Sequence, residues 1–413
     1  MNIPKSISGK VNNPFVSLNH SNFRYYWIGM CVSLIGTWMQ NIAQPWLAYS
    51  LTNSPFLLSL IGTLQYTPIM LFSLFAGVFI DKHSKKKILI CTQAASLCIT
   101  LMLAILVVSG KIQYWHIVIM ATLLGVVNTF DMPCRQSFII ELVGKEDLTN
   151  AIALNSMSFN LARIIGPSIA GLIMGFFGIA SCFFVNAISY AAVLISLFFI
   201  KVKPLHVKSN SQKETHILNE VKEGLKYIYH NNVLFYSIIV MAIVGTFAPN
   251  YNVLVPIFAR DILGSNEAGF GILMSFMGIG SFIGAMSMAS LSNIGPKRIT
   301  IYLVPLIVAT FLCITGFTDK FVLTGLSLAM LGLFFIFFTS SANSTLQINS
   351  SNEYRGRVMS VYTLVFAGST PIGNLYAGIV TEHFGSRIGF FACGAIIILL
   401  LVPLIIYRST KRF

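Results

Sequence analysis

The stretch GTWMQNIAQPWLAYSLTNSP, residues 36–55, belongs to the first long apolar segment of the chain, yet it contains three amide side chains. An amide turned toward lipid would leave its donors and acceptors unpaired, at a cost of several kcal/mol each. Gln40, Asn41 and Gln44 must therefore point toward other helices or toward water. Thr37, Gln40 or Asn41, and Gln44 fall on one face at helical spacing, which predicts a membrane helix with a polar inner side.

The composition supports a membrane protein. Of the 413 residues, 55% are hydrophobic and 10% are charged, and the mean hydropathy is +0.78. In a soluble protein about a quarter of all residues are charged, which is more than twice the fraction found in this chain. The seven cysteines stand at no metal-ligand or redox spacing, so no metal site is expected. No phosphate-binding G-x-x-x-x-G-K-[ST] loop, HExxH motif or nucleophile–base pair occurs, so we expect neither ATP hydrolysis nor an enzyme.

Twelve apolar stretches are long enough to cross a bilayer, for which a helix needs about 20 residues. They lie near 24–51, 57–80, 88–109, 113–134, 151–175, 178–200, 233–258, 268–290, 299–317, 321–344, 356–381 and 387–407. The turns between most of them are short, so neighbouring helices are antiparallel. The sequence therefore predicts an all-α bundle of twelve transmembrane helices.

The net charge of +14 is distributed unevenly among the loops. With both termini in the cytoplasm, nearly all basic residues fall on the cytoplasmic side, and the opposite side keeps only Lys111, Arg260, Lys320 and Arg387. This asymmetry is the positive-inside bias of membrane proteins. It explains the basic character without a nucleic-acid partner, and it predicts a multi-pass protein with both termini in the cytoplasm.

The chain divides into two halves, residues 1–200 and 233–413, joined by a polar linker, residues 201–232. Within the linker, ETHILNEVKEGLKYIYHN carries Ile217, Val221, Leu225 and Ile228 at helical spacing. Because Lys and Glu occupy the other face, we expect an amphipathic helix on the inner leaflet.

The two halves are repeats of one another. A shift of 207 residues aligns Leu124–Gly178 with Leu331–Gly385 without a gap, and GTWMQN at 36–41 is similar to GTFAPN at 245–250. Both halves have six helices and start from the same side. The sequence therefore predicts two six-helix bundles related by a pseudo-twofold axis along the membrane normal, an architecture typical of alternating-access transporters.

The loop GVFIDKHSKKK, residues 77–87, resembles the signature of the major facilitator superfamily, although Lys82 and Ser84 depart from its usual pattern. Residues 36–55 together with LTNAIALNSMSFNLARIIGPSIAG, residues 148–171, resemble the branch that contains bacterial siderophore exporters of the enterobactin-exporter type and macrolide efflux proteins. The resemblance covers the whole chain and implies the major facilitator fold and a location in a bacterial inner (plasma) membrane.

In that superfamily helices 1, 4, 7 and 10 line a central cavity, and the resemblance implies which side chains border it here. The alternative for the amides is hydrogen bonding that holds neighbouring helices together. The expected cavity residues are Thr37, Trp38, Gln40, Asn41, Gln44, Asn128, Phe247, Asn250, Asn252, Thr339 and Asn343.

The signature loop implies a conformational switch formed by Gly77, Asp81, Lys82, Lys85 and Lys86. Asp81 would accept hydrogen bonds from the N-terminus of helix 11 near residues 356–358, where the helix dipole is positive. That contact would hold the halves together on the cytoplasmic face. The lysines also serve to keep the loop inside.

Charges within spans are functional candidates by default. Asp131 and Arg135 lie near the inner end of helix 4, and Arg163 lies deep in helix 5. We expect Asp131 to pair with Arg163, or with Lys82 or Lys85, either as a proton-coupling site or as a static ion pair.

Small residues form a packing motif on helix 5, and we expect Gly280 and Gly284 on helix 8 to be its complement, with a repeat of the motif on helix 11. The motif comprises Gly166, Pro167 and Gly171, with Gly373 and Gly378 in the second half.

These features predict a secondary active transporter, a proton-coupled exporter of small amphipathic molecules that acts as a monomer in membrane lipid without a cofactor. A broad drug exporter, a narrow siderophore exporter, a lipid or lysolipid translocator, and an uncoupled facilitator or importer remain alternatives. The sequence leaves the substrate, the direction and the stoichiometry open.

Overall fold

The computed structural model describes residues 15–144, 146–201, 217–290, 298–351 and 354–410. Within these ranges the chain is helical, with no strand. The helices are α1 (Ser21–Thr52), α2 (Pro55–Lys82), α3 (Lys85–Val108), α4 (Tyr114–Val143), α5 (Leu148–Phe177), α6 (Ala180–Phe199), α7 (Ile217–His230), α8 (Asn232–Phe247), α9 (Tyr251–Asp261), α10 (Glu267–Ser290), α11 (Arg298–Phe317), α12 (Phe321–Ile348), α13 (Arg355–Gly368) and α14 (Thr370–Thr410).

Thirteen of the fourteen helices in the described residues make twelve membrane crossings, and the linker helix α7 makes none. Helices α1 to α6 cross once each; α8 and α9, joined by the 3-10 turn Ala248–Asn250, form the seventh crossing. Helix α14 turns at Gly385, whose φ of 82° is not helical, so its first part completes the crossing that α13 begins and its second part is the twelfth. The predicted twelve-helix fold is confirmed.

The crossings end at residues suited to sharp turns. Asn53 adopts the left-handed conformation that ends α1, with φ 49°, and the Ser54 hydroxyl then accepts the Leu57 amide to start α2, which has Pro55 in its first turn. Gly178 and Gly385 have nearly the same positive φ, 77° and 82°. They are 207 residues apart, so the repeat extends to backbone geometry.

The bundle has two ends, which we name by what they carry. The linker face carries the α2–α3 turn and the linker helix α7. The far face carries the turns at residues 53–54, 109–113, 178–179, 262–266 and 318–320.

Glycine contacts display the pseudo-twofold relation directly. A Cβ on Gly166 of α5 would collide with Trp38 of α1, and a Cβ on its repeat Gly373 would collide with the Thr246 carbonyl of α8. Both glycines thus let a fifth-position helix approach the first helix of its own half.

The next glycine of each pair joins the two halves. Gly171 of α5 approaches Gly271 and Ala268 of α10, while its repeat Gly378 of α14 approaches Ser59 of α2. Since α10 is the counterpart of α2, these are the same contact made twice, and each brings backbones from opposite halves together.

The predicted partner residues of the small-residue motif on α5 are wrong. Gly280 and Gly284 do not face α5; a Cβ on them would meet the carbonyls of Ala329 and Leu333 on α12, within the second half. The residues of α10 that meet α5 are Gly271 and Gly278, because they lie on a different face of the helix.

Helix α7 docks on the second half. Arg357 of α13 donates to Glu223 at 2.5 Å, and the rings of Tyr227 and Tyr354 stack with centroids 4.4 Å apart. Ile228 is buried in a cluster with Leu234 and Val358, whereas Leu225 is half exposed. The helix therefore has one apolar residue packed inward and another free to meet a membrane surface.

The two halves meet in the far-face part of the bundle. Ser168 of α5 hydrogen-bonds Ser275 of α10 at 2.7 Å, and Trp46 of α1 stacks on Phe270 of α10 at 5.4 Å. Toward the linker face, by contrast, a Cβ on Gly77 of α2 would have nothing within 4 Å. These contacts between the halves lie in the far-face part of the bundle, whereas Gly77 is not packed against any residue that the structure describes.

Gly171→Ala should destabilise this arrangement, because the added Cβ would lie 2.9 Å from the Gly271 Cα. Overpacking of this kind costs about 1–3 kcal/mol. Thermal unfolding of the purified protein in one detergent measures the effect. Gly175→Ala is the control, since its Cβ would lie at an ordinary 3.5 Å from Ala268 and alanine favours helix by about 1 kcal/mol. Equal melting temperatures for the two variants would contradict the close-contact account.

Candidate functional site

The amides of α1 separate into two groups. Gln40 is 4% exposed and its Oε1 accepts from Asn186 of α6 at 2.6 Å and from Thr100 of α3 at 3.3 Å. Gln44 is equally buried and donates to Gln65 of α2 at 3.2 Å. The expectation that Gln40 and Gln44 line the cavity is wrong: they hydrogen-bond the helices of the first half to one another.

Asn41 is exposed and faces the space between the halves. Successive residues rotate by about 100° around a helix, so Asn41 lies about 180° from Val32, nine positions earlier. Val32 is 46% exposed on an apolar side chain and marks the lipid side of α1. The exposed amide therefore points away from lipid. Thr37, one turn before it, is half-buried and donates to the Ser33 carbonyl at 2.8 Å.

Arg163 reaches the same space from α5. It lies nine positions before Leu172, which is 55% exposed to lipid, and so again about 180° away from the lipid side. Around the helix it lies between Gly166, which touches α1, and Gly171, which touches α10, and Gly278 of α10 approaches the Arg163 carbonyl. Its Nη2 donates to Asn160 at 2.9 Å, and its buried Nε has no hydrogen-bond partner.

Two tyrosines from other helices accompany Arg163. Tyr251, at the start of α9, interacts electrostatically with Arg163 and Tyr66 and hydrogen-bonds Asn252. Tyr66 of α2 is 39% exposed, one turn beyond Gly62, which approaches Asn374 of the second half. We call Asn41, Tyr66, Asn160, Arg163 and Tyr251 the central cluster.

The central cluster lies at one depth in the bundle. At 1.5 Å per residue, Asn41, Tyr66, Arg163 and Tyr251 are about 15–21 Å from the far-face ends of their helices. Asn252 is exposed on a helix whose residues 253–259 are buried, so it too borders the space between the halves.

Three other expected cavity residues pack within their own half. Phe247 sets its ring against Tyr376 at 5.2 Å. Asn250 is fully buried and donates to the Cys393 sulfur at 3.5 Å. The assignment of Asn250 is wrong, because the 3-10 turn at Ala248–Asn250 interrupts the helix and encloses this side chain in the second half. Phe247 is half-buried, so its place at the cavity stays a prediction. Trp38 of α1 is half-buried, and its ring lies 5.7 Å from that of Phe159 of α5. Its exposed part borders the space between the two halves.

The expected residues of α4 and α12 are all half-buried. Asn128 lies one turn before Met132, which is 54% exposed. Thr339 donates to the Ile336 carbonyl of its own helix at 3.2 Å. Asn343 accepts from Gln347 at 2.5 Å and hydrogen-bonds the hydroxyl of Tyr362, so it holds α12 to α13 nearer the linker face.

Asp131 pairs with Arg135 on the same helix, not with Arg163. Its carboxylate, 3% exposed, also accepts from Thr92 at 2.7 Å and Gln93 at 2.8 Å. The expected pair with Arg163 is wrong, because Asp131 faces α3 inside the first half whereas Arg163 faces outward from it.

The alternative partners of Asp131 are also corrected. Lys85 pairs with Glu141 at 2.6 Å, Lys86 donates to the Ile200 carbonyl at 2.8 Å, and Lys82 is exposed at the end of α2. Lys85 and Lys86 therefore tie the start of α3 to the ends of α4 and α6. The side chain of Asp81, and with it the predicted contact to α13, lies outside the described residues.

A set of polar contacts crosses between the halves at the far face. The Tyr49 hydroxyl donates to Asp261, and the Arg260 guanidinium donates to the Tyr49 carbonyl at 3.3 Å. Glu382 accepts from the Ser54 hydroxyl at 2.8 Å and from the Phe56 amide at 3.0 Å. We call these contacts the far-face latch.

Sequence reasoning missed Asn160 and both tyrosines of the central cluster, and it missed the whole latch. Arg163 was recognisable because it is the one charge in α5. Tyr66 and Tyr251 gave no comparable signal, since tyrosine is common in membrane helices as an interface anchor. Asp261 and Glu382 stand at helix ends, where a charge is ordinary.

Known proteins of three kinds are similar to this chain along most of its length. The staphyloferrin A transporter of Staphylococcus aureus is 26% identical, over 88% of this chain and 90% of the relative. Macrolide efflux protein A of Streptococcus pyogenes is 21% identical, over 92% and 95%. The multidrug efflux pump Tap of Mycolicibacterium fortuitum is 22% identical, over 87% and 89%.

Solved transporter structures share the fold. The nucleoside transporter NupG matches with a TM-score of 0.75 at 12% identity, covering 95% of this chain and 99% of its own. A bacterial homologue of the human lysosomal transporter Spinster, in an inward-facing and unoccupied conformation, matches with a TM-score of 0.73 at 10% identity, covering 92% and 95%. Residues 12–412 match the family described as transmembrane secretion effector. The chain belongs to this family of the major facilitator superfamily, and it is a multi-pass membrane transporter.

Proposed function

We infer that this protein is a secondary active exporter that moves small amphipathic molecules out of a bacterial cell by alternating access. The observation that carries the proposal is the central cluster: a polar, charged site at mid-membrane depth between two pseudo-symmetric halves. A site of this kind, open to one face and sealed from the other, is what a transporter needs to pass a solute without a continuous pore. Efflux relatives support the outward direction.

We propose that the protein is a monomer in the bacterial inner membrane. In the proposed orientation the linker face lies on the cytoplasmic side. The basic residues of the α2–α3 turn and of α7 support it through the positive-inside bias. In this orientation we propose an inward-open state, which is supported by the far-face latch on the outer side and by the free space beside Gly77 toward the cytoplasm. Packing of α2 at Gly77 against α13 would then close the inner side in the other half of the cycle.

Export against a gradient requires an energy source, for which we propose proton entry. Asp131 is the embedded carboxylate of the first half, buried among Thr92, Gln93 and Arg135. Arg135 also contacts the Met30 sulfur of α1 at 2.8 Å. Rocking of α1 against α4 would therefore disturb the ion pair and alter its access to protons.

Asp131→Asn should reduce export driven by an imposed pH gradient in membrane vesicles. The amide oxygen can still accept from Thr92 and Gln93, so the side chain keeps its place while Arg135 loses its counter-charge. Glu141→Gln is the matched control, because Glu141 pairs with Lys85 in the same bundle. An unchanged gradient response in Asp131→Asn would remove this residue from the coupling mechanism.

Tyr49→Phe should weaken the outer seal, since it removes a hydrogen bond from a phenol to the Asp261 carboxylate. A loss of about 1 kcal/mol would shift the open and closed populations by about fivefold. The readout is labelling of a cysteine placed at Ala268, at the α5–α10 seam, by a membrane-impermeant maleimide added outside, with exposed Cys91 and Cys98 changed to serine.

The control for this prediction is Asp319→Asn. It removes a charge on the same face, but its partner Arg387 belongs to the same half. Faster labelling in Tyr49→Phe alone supports the latch as a seal between the halves. Equal labelling in wild type and Tyr49→Phe would mean that the latch contributes nothing to closure.

A further inference from the structure

The position of Arg163 is costly for a structural residue. It is the one charged residue of α5, and at 1.5 Å per residue it stands about 21 Å from either end of that helix. A guanidinium at the centre of a bilayer is unfavourable unless it pairs with another group or faces water. An arginine side chain stays protonated in proteins, so Arg163 cannot avoid this cost by becoming neutral.

Arg163 has no counter-charge in the observed state. Among the side chains that the structure describes, no carboxylate oxygen lies within 4.0 Å of the guanidinium. One terminal nitrogen donates to the neutral Asn160 at 2.9 Å, and the Nε hydrogen is buried with no acceptor. The helix itself supplies no acid, and the nearest candidate from the sequence, Asp131, is committed to Arg135.

The groups around Arg163 are also hydrogen-bond donors. Tyr251 and Tyr66 bring phenolic hydroxyls from α9 and α2, and Asn41, exposed at similar depth, brings an amide. A positive charge with unused N–H groups, surrounded by hydroxyls and an amide, attracts a ligand that offers negative oxygen atoms. The same charge repels a cationic ligand.

We propose that Arg163 is the subsite for an oxyanion of the substrate, a carboxylate or a phosphate, and that the exporter therefore prefers small amphipathic anions to cations. The inference deepens the proposed function and rests on it. The guanidinium fork binds two oxygens of the anion, while Tyr66 and Tyr251 donate to it from the two halves. Because Tyr251 belongs to the second half and Arg163 to the first, the anion bridges the interface along which the halves move.

The test is binding to the full-length protein in nanodiscs, using one aromatic scaffold in four forms. The probes are 2-naphthoate, 2-naphthyl phosphate, the neutral 2-naphthalenemethanol and the cationic 2-naphthylmethylammonium, measured by equilibrium dialysis. Wild type should bind at least one of the two anions about tenfold more tightly than the alcohol or the ammonium. The tighter of the two anions identifies the oxyanion, carboxylate or phosphate.

Arg163→Gln should lose about tenfold in affinity for the anion and leave the alcohol unchanged, whereas Arg163→Lys should keep the anion preference in part. Lys111→Gln is the matched control, since it removes a positive charge from an exposed far-face turn. Equal anion binding in wild type and Arg163→Gln would overturn the proposal. So would a wild type that binds the ammonium or the alcohol more tightly than both anions, or that binds no probe; these outcomes need no variant to fold.

Failure of this subsite and failure of the exporter are distinguishable. Gradient-driven export of a cationic or neutral compound from vesicles, together with no anion preference in binding, would refute the subsite and leave the exporter. Anion binding that depends on Arg163, in a protein that transports nothing under a pH gradient, would leave the subsite and refute the exporter.

Discussion

The structure depends on one constraint: a polar group inside the hydrocarbon layer must have a partner or face water. Most embedded polar side chains satisfy it by pairing inside one half. Gln40 receives hydrogen bonds from two neighbouring helices, and the Asp131 carboxylate has three donors. Arg163 does not satisfy it in this way. The space between the halves must therefore admit water or a ligand at the depth of that residue.

The second requirement is that the two halves stay together while they move. Backbone-to-backbone contact at Gly171 and Gly271, and the approach of Gly378 to Ser59, provide smooth surfaces with no long side chains to interlock. Hydrogen bonds such as that from the Ser54 hydroxyl to Glu382 add a reversible hold at one end. Packing of this type resists leakage at the far face and leaves the other end free to separate, which fits a rocking mechanism better than a rigid channel.

The sequence predicts the fold well, because the fold depends on properties of whole segments, such as their hydrophobicity and their repetition, and not on single side chains. Apolar length gives the twelve crossings, and the 207-residue shift gives the pseudo-twofold relation. The site is predicted less well, because it depends on which way a single side chain points. Gln40 and Asn41 are adjacent in sequence and about 100° apart on the helix, so a helical face drawn from spacing alone contained both. Only the packing of α3 and α6 against α1 decides that Gln40 is enclosed and Asn41 is exposed.

The same reasoning explains why the repeat misleads at Asn250. GTWMQN and GTFAPN align Asn41 with Asn250, but Pro249 has no amide hydrogen and stands in a 3-10 turn between α8 and α9. The interruption turns Asn250 into the second half and starts α9 at Tyr251, which interacts electrostatically with Arg163. The halves thus keep a common backbone plan while contributing different chemistry to the space between them: both supply a phenol and an amide, and the first half adds the charge of Arg163. A pseudo-symmetric scaffold can in this way bind an asymmetric solute, because only its backbone needs to be symmetric for the two halves to rock.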